Sequence, residues 1–389
     1  ECLTVLDFIG LQHRKFRMDQ RLGQLCNETT RIGALKAVQG LFPHLPPGCT
    51  LHLERTAQRT VLKNLKQSLG QNLASLEASL RQLGPDASLS TFLEETRVDL
   101  ADLYRSEGRT WSALRRRSDF DVEQEGPMEK RLRGALCRMT HIDDSDYLDW
   151  LEVFLSGPMS DCPDPGTTER IYLEMLSASL IGYTPTRSPG SLEGALVCLR
   201  EHPVIVRDLL GVVSILRQQL NKLTISLPRE MGIPLKVHSQ YSSGEAHAGM
   251  GNLTAGKPRM IDAGVFHVEH QGLDAFFVTT RKTEAEYSPT TLYRDHALSL
   301  DLFHWETQSR TTPESQTGQR YIHHRERGHK ILLFARESRN DQHGRTMPYT
   351  FLGPADYVSH EGTRPVSIIW RLHHPMLKDT YEFTKLVRA

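Results

Sequence analysis

The sequence predicts an α+β protein: an all-helical N-terminal part followed by a mainly β, mixed C-terminal domain, for which a barrel-like form is one option. Three observations lead there. Up to about residue 230, apolar residues recur at three-to-four spacing, the mark of helices with one buried face. After Leu223–Pro234 the pattern changes to short runs rich in β-branched and aromatic residues, separated by turn-forming segments. The chain is 389 residues long, too long for one compact core, so two or three domains are expected.

Taken in order, Leu51–Leu69 reads as an amphipathic helix after the Pro46-Pro47-Gly48 turn, and Asn72–Leu83 as a second that stops at Gly84-Pro85. Further helical patterns cover Met128–Met139, Asp146–Leu155, Glu169–Ile181, Ser191–Glu201 and Val206–Lys222. Between them, Ser88–Arg117 reads as short helices around an Arg-Ser-Glu-Gly turn with a basic end. That pattern fits a helix-turn-helix unit whose Arg115, Arg116 and Arg117 would meet DNA phosphates. A plain helical bundle with a solvated basic end fits it as well. Strands are expected at Leu235–Ser239, Gly264–Glu269, Ala275–Thr280, Lys330–Ala335 and Val366–Leu372.

Composition excludes several classes. No stretch approaches the run of about 18 apolar residues that a membrane span needs. The six cysteines are scattered without a C-x-x-C pair, which argues for reduced, mostly buried thiols in a cytoplasm and against a disulfide framework or a zinc site. Lys and Arg (47) balance Asp and Glu (47), so any nucleic-acid contact has to come from local patches. The first residues carry no signal-peptide pattern, and a start at Glu1 inside an apolar run suggests a piece of a longer polypeptide. Thirteen of the 18 histidines lie after residue 233, and most are read as surface residues.

Several catalytic patterns fail on inspection. Gly251–Lys257 has the spacing of a P-loop, but Pro258 stands where a magnesium-binding Ser or Thr should follow. His267-Val268-Glu269 begins like a zinc-deaminase signature, yet no cysteine lies beyond Cys198; the alternation fits a half-buried strand instead. Asp143-Asp144-Ser145-Asp146 lacks the Gly and distal Glu of a calcium loop and reads as a helix N-cap. His13-Arg14-Lys15 has Asp19 one residue too close for a phospholipase-D-type motif. Only loose spacing would make a metal-dependent nuclease of the acids around Asp262–Lys282.

The most informative stretch runs from Phe276 to His324. It contains Phe276-Phe277-Val278-Thr279, Tyr287–Asp295, Phe303–Ser309 (FHWETQS) and Thr317–Tyr321. Downstream stand Leu333–Glu337, Tyr349–Pro354 and Ile368–Leu372. This series resembles a C-terminal domain of unassigned function found on superfamily 2 helicases, as in SauUSI-type modification-dependent (type IV) restriction enzymes. Leu3–Gly10, Phe16-Arg17 and Phe42–Cys49 are similar to the region after the second helicase lobe of those enzymes. The resemblance implies three parts: the tail of the helicase lobe and linker over residues 1–50, a helical domain over 51–233, and a target-recognition domain over 234–389. It also implies a role in phage defence for a cytoplasmic enzyme whose ATP, magnesium, motor and nuclease belong to the rest of the polypeptide. This chain by itself is then not an enzyme and needs no cofactor or metal. Its partners are double-stranded DNA carrying modified cytosine and the helicase and nuclease domains of the same polypeptide.

Reading 5-methylcytosine or 5-hydroxymethylcytosine in a duplex means sensing the major-groove substituent or flipping the base between aromatic faces. Tyr287, Tyr293, Phe303, Trp305 and Tyr321 are candidate stacking walls. Asp295 and Glu306 are candidate acceptors for the cytosine amino group, with Gln308 as an amide contact. Arg281, Lys282, Arg294, Arg310 and Arg320 are candidate phosphate or guanine contacts. Two rival readings remain open: a module that couples a motor to partners without touching DNA, and a cryptic nuclease.

Overall fold

A computed structural model describes residues 72–120, 122–184, 188–259, 261, 263–281, 295–308, 310–341 and 344–385. The predicted helix Leu51–Leu69 and the whole 1–50 segment lie outside them. The described residues fall into two compact units: those up to Tyr104 with those of 111–122, and Arg105–Thr110 with those from Glu123 onward.

In the first unit, α1 (Leu73–Leu83) starts where Asn72 caps the amide of Ser75 and ends at Gly84, whose φ of +91° suits a residue without a Cβ. It is followed by α2 (Leu89–Thr96), the single turn α3 (Leu100–Leu103) and α4 (Trp111–Arg117). Leu76, Leu80, Phe92, Leu103 and Leu114 form its interior. The basic end of α4 is tied to this unit: Arg117 pairs with Glu77 at 2.6 Å, and Arg115 donates to the carbonyl of Pro85.

The second unit begins with the helical region α5 (Glu129–Leu136), α6 (Ser145–Ser156), α7 (Thr168–Leu180), α8 (Leu192–Arg200) and α9 (Pro203–Gln218). Each of α6, α7 and α8 has a side-chain N-cap, from Asp144, Thr167 and Ser191. Proline at the first position of α9 leaves no amide unsatisfied that the helix would have used. No helix among the described residues is long and apolar enough to cross a membrane.

The β part then follows as predicted. Its strands are β1 (Ile225–Ser226), β2 (Lys236–Val237), β3 (Gln240–Tyr241), β4 (Val265–Val268), β5 (Leu273–Thr279), β6 (His296–Ala297), β7 (Leu302–Glu306), β8 (Lys330–Arg336), β9 (Tyr349–Glu361) and β10 (Ser367–Leu372). Its helices are α10 (Ser243–Gly249), α11 (Gln316–Ile322) and α12 (Lys378–Thr384). The main sheet has the order β4-β5-β8-β9-β10-β7-β6, with β3 also on β9; among the described strands only β5 and β8 run parallel. Its two end strands do not meet, so the sheet is open and the barrel-like alternative does not hold. The long β9 serves both halves, pairing with β8 at one end and β10 at the other. It turns at Gly353, where φ is +94° and a Cβ would come within 2.9 Å of Val237.

All seven residues of β5 are buried, as expected for a central strand covered on both faces. One face holds Phe276, Trp305, Ile331, Leu333, Ile368 and Trp370, with Tyr321 of α11 packed on it. On the other, Phe277 stacks on Phe334 at 4.6 Å and on the buried imidazole of His247 from α10. Burial pushes the His247 ring down to about 3, so it packs as a neutral ring.

Helical region and sheet meet through a polar junction. The Asp144 carboxylate caps α6 through the amides of Asp146 and Tyr147 and also accepts from the Tyr241 hydroxyl. Asp143 accepts from the Gln240 amide and pairs with Lys222, and Lys236 reaches Asp146 at 2.6 Å. Buried Glu245 faces His141 at 2.8 Å. Burial alone would neutralise that pair, but attraction across it wins, holding Glu245 below and His141 above their ordinary values. The Asp-Asp-Ser-Asp run therefore is the N-cap expected from sequence, and in addition clamps β2 and β3.

Candidate functional site

The predicted stacking residues on the described part are interior. Phe303 is 0%, Trp305 4% and Tyr321 2% exposed. The Trp305 ring lies flat on Phe276, centroids 4.1 Å apart, and Tyr321 meets both edge-on. Alternation along β7 sends Phe303 and Trp305 inward, leaving no ring face on which a base could stack. In this structure the three side chains belong to the sheet core. Asp295, also buried, accepts from the amide of Glu306 and so fixes the start of β6 to the end of β7. Glu306 is half-buried on that strand end.

The predicted phosphate contacts divide similarly. Arg320 is engaged on Asp274, and Arg281 pairs with Glu337 at 2.6 Å. Arg115 lies over Trp111 and Phe120, beside half-buried Arg116. Gln308 and Arg310 are exposed. Lys282, Tyr287, Tyr293 and Arg294 lie outside the described residues.

Two constellations are assembled only by the fold. The first surrounds Asp274, a fully buried carboxylate on β5. Arg320 of α11 donates to both its oxygens, at 2.7 Å from Nε and 3.1 Å from Nη2, a bidentate pair. His329, just before β8, lies 2.8 Å from Oδ2 through Nε2, and His267 of β4 lies 3.3 Å from Oδ1 through Nδ1. Antiparallel pairing sets His267 opposite Asp274, and parallel pairing of β5 with β8 brings in His329. Burial pulls His329 below the usual imidazole range despite the neighbouring carboxylate, so its neutral form prevails.

The second is an open cleft of about 700 Å³ lined by Arg105, Glu107, Gly134, Cys137, Arg138 and Arg345, among others. Arg105 and Glu107 come from the Arg-Ser-Glu-Gly turn, Arg138 from the end of α5, and Arg345 from the loop between β8 and β9. Arg345 is held by Asp341 at 2.8 Å and donates to the carbonyl of Cys137. Arg138 is exposed and donates through one nitrogen to the carbonyl of Gly134. Glu107 pairs with Lys130 at 3.4 Å. Three arginines stand against this one acid in the lining, so the cleft is basic. Burial pushes the Cys137 thiol up to about 12, which favours its protonated form.

Comparison with protein-family models finds a match to the family described as "Domain of unknown function (DUF3427)", over residues 235–384. The C-terminal part is a DUF3427 domain. No curated protein matches the chain. The DUF3427 domain runs from just before β2 to the end of α12 and contains the whole Asp274 cluster. Of the three cleft arginines it supplies Arg345 alone; the helical region brings the other two.

Proposed function

We propose that this chain is the non-catalytic, DNA-contacting C-terminal part of an ATP-driven, modification-dependent restriction enzyme. In this reading, target recognition in the cytoplasm is its task, and ATP, magnesium, translocation and cutting belong to helicase and nuclease domains of the same polypeptide. The observation that carries DNA contact is the basic cleft. Guanidinium groups from three separate segments suit a phosphate backbone, which needs several cations at spaced positions rather than one deep pocket. Because Phe303, Trp305 and Tyr321 are internal, reading of 5-methylcytosine or 5-hydroxymethylcytosine, by flipping or in the groove, falls to other side chains. Those are Lys282, Tyr287, Tyr293 and Arg294, with exposed Gln308 and Arg310 beside them in sequence.

The same burial favours a second reading, a module that couples a motor to its partners without touching DNA. Fluorescence-anisotropy titration separates the two, with duplexes matched except for 5-methylcytosine, at two salt concentrations. Our reading expects salt-dependent binding to both duplexes and tighter binding to the modified one at each salt. Equal affinities would remove the base-reading part and leave a DNA clamp. No binding at either salt would put the coupling module in its place.

A further inference from the structure

His267, Asp274 and His329 each offer one ligand atom, and these atoms lie within 4.8 Å of one another. Two imidazoles and a carboxylate are a donor set suited to zinc-class divalent ions, which bind nitrogen at about 2.0–2.1 Å. Small side-chain adjustments would draw the three atoms onto one centre. Entry is from the side of His267, the only member of the three with substantial exposure (39%, against 9% and 0%).

Arg320 does not exclude such an ion. A carboxylate has about four lone-pair positions, so Asp274 can keep its guanidinium partner and still ligate. Metal-bound carboxylates are commonly held in place by a hydrogen-bonding partner of this kind. The backbone fixes the arrangement, since His267 and Asp274 face each other across the β4–β5 ladder and His329 opens β8 beside them.

We propose that His267, Asp274 and His329 form a binding site for a divalent transition-metal ion of the zinc class, which ties the edge strand β4 to β5 and β8. Such a site goes beyond DNA contact and is independent of it. The test is titration of the protein with cobalt(II) in chelator-treated buffer, followed by the visible absorption of four- or five-coordinate cobalt and displaced by zinc. One equivalent should give the band. His267→Ala, at an exposed position that leaves the fold intact, should weaken uptake at least tenfold, whereas His270→Ala on the neighbouring exposed turn should leave it unchanged. Zinc should raise the melting temperature of the wild type and not that of His267→Ala. Absence of the band, or equal uptake by wild type and His267→Ala, would overturn the proposal by marking any bound metal as adventitious surface histidine binding.

Discussion

The aromatic residues around Trp305 and the arginines around Cys137 differ in what remains available once the fold is made. Phe303, Trp305 and Tyr321 are the chemistry expected of a base pocket, yet in this structure they pack with Phe276 and Trp370 in a sheet core. Arg105, Arg138 and Arg345 come from a turn, a helix end and a loop, and they line an open cleft. Residue type alone does not tell a core aromatic from an available one; position in the layers does.

The strongest way to break that comparison is Trp305→Ala. As a core residue it should cost about 3–5 kcal/mol of stability, read as the shift of a urea unfolding midpoint. If Trp305 were a ligand wall, stability would hold and DNA affinity alone would fall.

The junction that joins the cleft's helical and β sides sharpens it next. Burial raises Asp144 from its ordinary value near 3.8 to about 6, despite hydrogen bonds from Tyr241 and Tyr147. An acid with a raised folded pKa binds more protons folded than unfolded, so its contribution to stability declines as pH rises from about 4 to 6. The decline should total roughly 3 kcal/mol. Comparing unfolding midpoints of wild type and Asp144→Asn across that window should reveal this slope in the wild type only.

Smaller effects discriminate between basic groups. Arg105→Ala should weaken duplex binding several-fold and lower the log-log salt slope by about 1 if it contacts one phosphate. Arg117→Ala should change stability by about 0–1 kcal/mol, as befits a half-exposed ion pair, and leave duplex affinity unaltered. A large loss of affinity in that variant would favour the helix-turn-helix reading.

Local signals are legible in the sequence. Asn72 and Gly84 mark the ends of α1, Ser191 the start of α8, and the Asp-Asp-Ser-Asp run the start of α6. The switch from helical spacing to short strands after Pro234 likewise matches the observed architecture. The 13-residue β9 gives a weak strand signal because its burial alternates poorly and it bends at Gly353. The candidate sites are hidden for a different reason. His329 lies 55 residues from Asp274 and Arg345 lies 208 from Cys137, so only strand pairing and layer packing bring them together. Phe303 and Trp305 show the alternation of a half-buried strand, and the pattern does not say whether protein or ligand covers the aromatic side.

The central claim, DNA contact through the arginine cleft, is tested most directly by measuring duplex affinity against salt for wild type and for Arg105→Glu/Arg138→Glu. Both side chains reach solvent, so the double variant should fold with an unchanged circular dichroism spectrum. Affinity at low salt should fall by more than tenfold and the slope should drop by about 2, one for each phosphate no longer neutralised. An unchanged slope with unchanged affinity would contradict it and move DNA contact away from this cleft.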